Sequence, residues 1–252
     1  MCIRNIECLD EFAFSFLPKE KLKDGLTAML RVKDEEELLE DTLENILPFF
    51  DAINICVQKS SDKTRDVSRQ LSNKYKNVKY FYYPFPSLSN GPGYNMQNPH
   101  SVYSRTYFYN WCLSKVITNR TCKWDADMRF VGTKEALDFV GCRAPYVIVC
   151  GNERISFSEK KYLKKKPYTS SEVRIFPTSN SRFINGSLCE ILDYYEKSGF
   201  DKFVSRLKTK KVKQPIFDHF KYARNISHVS KSWPKNWESI EHFQQLINNI
   251  LE

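Results

Sequence analysis

Glycine is scarce in this sequence, at 8 of 252 residues, and no GxxxxGK[ST] segment occurs, which excludes Walker-type phosphate binding at the level of motif. No apolar run approaches the roughly 20 residues that span a bilayer. The opening MCIRNIECLDEFAFSFLPKEK lacks a basic region followed by an apolar stretch and small cleavage residues, so no signal peptide is expected. None of the eight cysteines forms a CxxC pair, which leaves a zinc ribbon unsupported. Cys56 and Cys150 sit in apolar runs and read as small buried hydrophobes. A reducing, cytoplasmic setting is the simpler expectation.

What is present is a globular composition. Hydrophobic residues make up 41% and aromatic residues 14%, enough for a sizeable core. The net charge is +9, which suits a solvated basic face, an anionic substrate such as a nucleotide diphosphate, an anionic membrane surface, or nucleic acid. The densest basic runs are KKYLKKK (160–166) and KTKKVK (208–213). Neither shows the regular aromatic interleaving of a single-strand binding face, so no nucleic-acid partner is expected; peripheral membrane contact through these patches stays open.

LTAMLRV (26–32) reads as a buried strand. Asp34 with Glu37 resembles a capping box, followed by an apolar helical face of Leu38, Leu39, Leu43, Ile46 and Leu47 up to Pro48. AINICV (52–57), a helix over about 62–75 and VKYFYY (78–83) complete a β-α-β-α-β start, the pattern of a parallel sheet covered by helices. PFPSLSNGPGYNMQNP (84–99) is a long loop of the kind that often carries function. A helix is expected over about 100–116, strands at 146–150 and 173–177, and helices near 188–197 and 236–250. With no repeat and no linker between the halves, the chain reads as one domain.

Asp125-Ala126-Asp127 follows the strand-like CKW. Two carboxylates at i and i+2, where a strand breaks into a loop, can converge on one hard divalent cation that bridges diphosphate oxygens. At the carboxyl edge of a parallel sheet this is also where ligands bind in open α/β folds. A short D-x-D is otherwise an ordinary surface loop. Trp111 and Trp124 read as core, and Trp233 and Trp237 as packing residues, with stacking on a sugar the alternative for the latter two.

With these residues in place, the chain resembles family-2-type glycosyltransferases of the GT-A fold. The likeness rests on the strand-to-helix segment Arg31-Val32-Lys33-Asp34-Glu35, the turn Ser60-Ser61-Asp62-Lys63-Thr64, a helix carrying Arg105 and Asn110, and the D-x-D itself. It continues in Val173-Arg174-Ile175-Phe176, Gly186-Ser187-Leu188-Cys189-Glu190 and Asp218-His219-Phe220-Lys221-Tyr222, and so covers roughly residues 25–225. Two departures stand out. Val57-Gln58 occupies the place where the family has Asp to hold the nucleobase, so uracil is not assumed, and Cys189 stands where His is common.

The resemblance implies an α/β fold with a mixed central sheet flanked by helices. About residues 25–130 would form the nucleotide-binding half, and 131–252 the acceptor-binding half with C-terminal helices. It implies an inverting hexosyl- or pentosyltransferase that uses Mn2+ or Mg2+, a nucleotide-diphosphate sugar donor and a glycan or glycoconjugate acceptor. Glu190 is then the candidate general base, with Glu153 and Glu172 as rivals. Asp127, Asp125 and His219 are the candidate metal ligands, and Arg31, Asp34, Gln58, Asp62, Arg105, Asp125 and Lys221 the candidate donor-binding residues. Asp34 and Asp62 equally suit helix caps. Two other readings remain. A sugar-1-phosphate nucleotidyltransferase would carry a Gly-rich, Arg-containing loop after the first strand, and no glycine stands there. A non-enzymatic basic module explains the charge but leaves Asp125, Asp127, Glu190 and His219 without a task.

Overall fold

A computed structural model describes residues 2–87, 94–153, 168–187, 189–195, 203–204 and 206–220. The chain opens as its hydrophobic pattern predicts. Strands β1 (Lys23–Val32), β2 (Ala52–Gln58) and β3 (Val78–Tyr83) alternate with helices α1 (Leu39–Ile46) and α2 (Thr64–Lys74). Helix α3 (Arg105–Ser114) leads into β4 (Thr118–Asp125), which a tight turn at Ala126 and Asp127 joins to β5 (Met128–Phe130). Then follow α4 (Thr133–Val140), β6 (Tyr146–Glu153), β7 (Tyr168–Pro177), β8 (Phe183–Asn185), β9 (Glu190–Leu192) and β10 (Thr209–His219).

Eight strands form one mixed sheet in the order β3-β2-β1-β4-β7-β6-β10-β5, and β8 with β9 makes a separate hairpin. β3, β2, β1 and β4 run parallel; β7 is antiparallel to both β4 and β6, and β10 runs parallel to β6. Both faces are covered, which is why the parallel strands read as continuous apolar runs rather than as alternating ones. On β1, Ala28, Leu30 and Val32 join one core with α1, α2 and α4, while Met29 joins the other with α3 and the N-terminal segment. Trp124 is fully buried in the first core and Trp111 lies in the second, as expected. Cys56 and Cys150 are buried, and all eight cysteines are free thiols. Among the described residues no helix is long and apolar enough to cross a membrane.

Three local expectations need correction. Asp34 does not cap α1. It takes a left-handed conformation (φ 53°), and its carboxylate accepts from the Ser61 N–H at 2.6 Å and the Ser61 hydroxyl at 3.1 Å, binding the next loop instead. The helix therefore starts later, from a turn in which the Glu35 carbonyl accepts from Leu39 N–H. The helix expected from His100 begins at Arg105. Over residues 189–195, the described part of the segment 188–197, the expected helix does not form: Gly186 N–H donates to the Cys189 carbonyl at 2.8 Å, Asn185 pairs with Glu190 in a hairpin, and one 3-10 turn (Asp193–Tyr195) follows. The expected helix at 236–250, the basic run at 160–166, Trp233 and Trp237 lie outside the described residues.

Candidate active site

The chain runs outward from β1 through β2 to β3, then crosses back to place β4 on the other side of β1. The carboxyl ends of β1 and β4 therefore flank the switch point of the sheet, where open α/β folds bind ligands. Arg31 of β1 and Asp125 of β4 are register partners there. The Asp125 carboxylate accepts from Arg31 through one oxygen and from Arg174 Nη1 of β7 through the other, the latter at 2.8 Å. Lys123, two residues before Asp125 and hence on the same strand face, pairs with Glu172. Glu172 also lies 3.3 Å from Arg174 Nη2.

Arg31, Lys123 and Arg174 keep only 7%, 6% and 5% of their side-chain surface exposed, so three cations are buried around Asp125 and Glu172. A fourth element closes the cluster. Tyr109 of α3 lies beneath Arg31 at 4.2 Å and Lys123 at 5.5 Å, and its hydroxyl accepts from Arg105 Nη2 at 3.0 Å. Burial would raise the pKa of Asp125, but Arg174, Arg31 and Lys123 together outweigh it and hold the carboxyl well below the usual range. Burial, reinforced by the nearby charge of Arg31, holds the Lys123 ammonium well below the ordinary lysine value. The guanidinium groups of Arg31 and Arg174 stay charged there and can face an anion placed over the patch.

The two carboxylates of the D-x-D face different partners. Asp127, in the turn after β4, faces a residue remote in sequence: His219 Nε2 lies 3.3 Å from Asp127 Oδ1, the two side chains being 16% and 5% exposed. The backbone fixes this meeting. β10 pairs with β5 so that His219 stands opposite Met128, and Phe220 N–H donates to the Asp127 carbonyl at 2.8 Å. Neighbouring Asp218 is buried and accepts from Asn152 Nδ2 at 2.8 Å. Among the described residues no group of three or more His, Cys, Asp or Glu encloses a metal position. A carboxylate and an imidazole side by side can nonetheless supply two ligands to a divalent cation, and the carboxylate with phosphate oxygens and water is the ligand set that suits Mg2+. Asp125 faces its two guanidinium groups.

Glu190 lies at the start of β9, 5% exposed, with Oε2 at 3.4 Å from Arg105 Nε and accepting no hydrogen bond. Helix α3 sets this hairpin in place. The Asn110 side chain both donates to and accepts from the Phe183 backbone at 2.8 and 2.9 Å, and Thr106 donates to Asn185 at 2.6 Å. Asn110, marked in the sequence, thus docks β8, the hairpin partner of the strand that carries Glu190, and Arg105, also marked, meets Glu190 directly.

The donor-side candidates fall on the loops after β1 and β2. Asp62 accepts from Thr64 N–H at 3.0 Å, at the start of α2, and from Glu36 N–H at 3.1 Å, and together with Asp34 it stitches the two loops together. Gln58, 6% exposed at the end of β2, accepts from Ser87 at 3.2 Å while its Nε2 has no hydrogen-bond partner. Of the rival bases, Glu172 is engaged by Lys123 and Arg174, and the Glu153 backbone pairs with His219 at the end of β6. Lys221 lies outside the described residues. Reasoning from sequence missed Tyr109 and Lys123. The i, i+4 spacing of Arg105 and Tyr109, and a lysine inside an apolar strand, were the available signals.

No family model matches this sequence, and no curated protein matches it significantly. Solved structures with a similar course include S. aureus TarS, at 11% identity and a TM-score of 0.44 over 90% of this chain; the chain spans only 42% of that one. The mannosyltransferase PcManGT from Pyrobaculum calidifontis, solved with GDP-Man and Mn2+, has 11% identity and a TM-score of 0.47 over 93% of this chain and 71% of its own. A 4-diphosphocytidyl-2C-methyl-D-erythritol synthase from Anaerococcus prevotii has 14% identity and a TM-score of 0.43, covering 75% and 87%. Likenesses at this level carry no argument about activity.

Proposed function

We propose that this chain is a metal-dependent glycosyltransferase that moves a sugar from a nucleotide-diphosphate sugar to a hydroxyl of a glycan or glycoconjugate. The observation that carries this reading is the meeting of Asp127 and His219 at 3.3 Å, beside the buried cations at the switch point of the sheet. In this reading about residues 25–130 bind the donor and the rest serves the acceptor. Asp127 and His219 would hold Mn2+ or Mg2+, the carboxylate being the ligand type that suits both ions. A cation held there would supply positive charge to offset that of the departing diphosphate. Arg31 and Arg174 add fixed positive charge nearby, kept in place by Asp125 rather than by solvent. Glu190 takes the proton of the acceptor hydroxyl as it attacks the anomeric carbon, giving inversion.

The loop after β1 runs Lys33-Asp34-Glu35-Glu36 with no glycine, which disfavours the triphosphate site of a nucleotidyltransferase. The test offers a panel of nucleotide sugars with Mn2+ and measures release of nucleoside diphosphate. A parallel panel of nucleoside triphosphates with sugar 1-phosphates measures pyrophosphate. Metal-dependent diphosphate release supports the proposal; pyrophosphate release in its place replaces it with the nucleotidyltransferase reading.

A further inference from the structure

The basic run 208–213 plays no part in that site, since it lies at the opposite end of β10 from His219. At about 3.3 Å per residue the two ends are roughly 30 Å apart. Here β10 pairs with β6 through Thr209, Lys210 and Lys211, while its pairing with β5 begins only at Phe217. Lys208, Lys210, Lys211 and Lys213 are all exposed, and no acidic residue occurs between Phe203 and Phe217. Lysines on an open strand edge guard against edge-to-edge pairing. That accounts for the lysines but not for their neighbours: Phe203 and Leu207, immediately before the strand, are 58% and 71% exposed. A cleft of about 400 Å3 opens between the end of α4 and β10, lined by Lys210, Lys211, Lys213, Cys142 and Asp138.

We infer that this end of the molecule docks on an anionic lipid bilayer. Two large apolar side chains next to a cluster of cations match the two layers such a surface offers. The apolar groups enter the boundary between headgroups and acyl chains while the lysines meet the anionic headgroups. The lysine-lined cleft has room for a phosphate-bearing headgroup. Docked this way, the protein holds the Asp127–His219 edge away from the lipid, so the contact tethers the enzyme and leaves the donor edge open to water. The inference stands apart from the proposed activity and is tested without it.

The experiment is co-sedimentation of the full chain with vesicles of phosphatidylcholine alone and of phosphatidylcholine with phosphatidylglycerol. Binding to the anionic vesicles only is expected, falling at least tenfold as salt rises from about 0.1 to 1 M, where the screening length drops from about 10 to 3 Å. Lys210→Glu with Lys211→Glu and Lys213→Glu should abolish it. Phe203→Ser with Leu207→Ser should weaken it about tenfold or more, the loss expected when two large apolar groups no longer insert. All five side chains are exposed, so unchanged thermal melts verify the fold. Equal binding to neutral vesicles, no binding to either, or binding that survives the lysine substitutions would overturn the inference. Capture by an added RNA with none by vesicles would overturn it in favour of a nucleic-acid surface.

Discussion

Asp125→Asn separates the two carboxylates of the D-x-D by their physical roles. In the wild type Asp125 is the shared acceptor of Arg31 and Arg174, with Lys123 close by, and all three cations are more than nine-tenths buried. Replacing the carboxylate with an amide leaves those charges with Glu172 as the remaining anion of the patch. Removing one partner of a buried pair typically costs about 3–5 kcal/mol. Asp125 itself keeps 28% exposure, so the lower end, about 3 kcal/mol, is the appropriate figure. For a chain of this size that lowers Tm by about 6–12 °C. Thermal melts followed by circular dichroism read the shift directly. A loss below about 2 °C would refute the claim that Asp125 organises the cluster.

Other outcomes follow from the same geometry. The depressed pKa of Asp125 gives a pH signature: its stabilisation is complete above the unfolded value of about 3.9 and is lost as pH falls toward the folded value. Denaturation curves for wild type and Asp125→Asn should therefore stay a constant distance apart from about pH 5 to 8 and converge below about pH 4. Glu190→Gln should keep donor binding yet lower turnover by on the order of a hundredfold, as for a general base; near-normal turnover would move that role to Glu153 or Glu172. At Gly151 an added Cβ would run into the Phe217 ring on the neighbouring strand. Gly151→Ala should thus cost about 1–3 kcal/mol in urea unfolding, and an unchanged midpoint would show that β10 shifts freely.

Much of this fold is legible in the chain because its parallel strands are buried on both faces. Ile53, Ile55 and Val57 pack on one side of β2 and Cys56 on the other, so the strand reads as apolar apart from Asn54 and Gln58. Local chemistry near the site was harder to read. Asp34 has the spacing of a capping box, but its left-handed backbone turns the carboxylate toward Ser61, a contact between loops that no local pattern encodes. Glu190 sits in a segment of helical appearance that a tight turn at Gly186 makes into a hairpin.

Asp125-Ala126-Asp127 was visible as a pattern, but the different partners of its two carboxylates were not. Those partners, Arg174 and His219, arrive from β7 and β10, long-range pairings that the residues around position 125 do not specify. The cation cluster left a fainter trace. A lysine between Cys122 and Trp124, and an arginine between Val173 and Ile175, are charges placed inside apolar strands, and such charges are rarely buried without partners.

The most direct test is a thermal-shift panel of UDP, GDP, CMP, TDP and their sugars, with and without Mn2+, on wild type, Asp127→Ala and His219→Ala. A ligand at about a hundred times its dissociation constant adds roughly 2.7 kcal/mol to stability, a readily measured rise. The proposed site predicts that one nucleotide diphosphate stabilises the wild type only with metal, and that both variants fold normally but lose this response. Stabilisation that survives in Asp127→Ala, or no response to any nucleotide in the wild type, would contradict it.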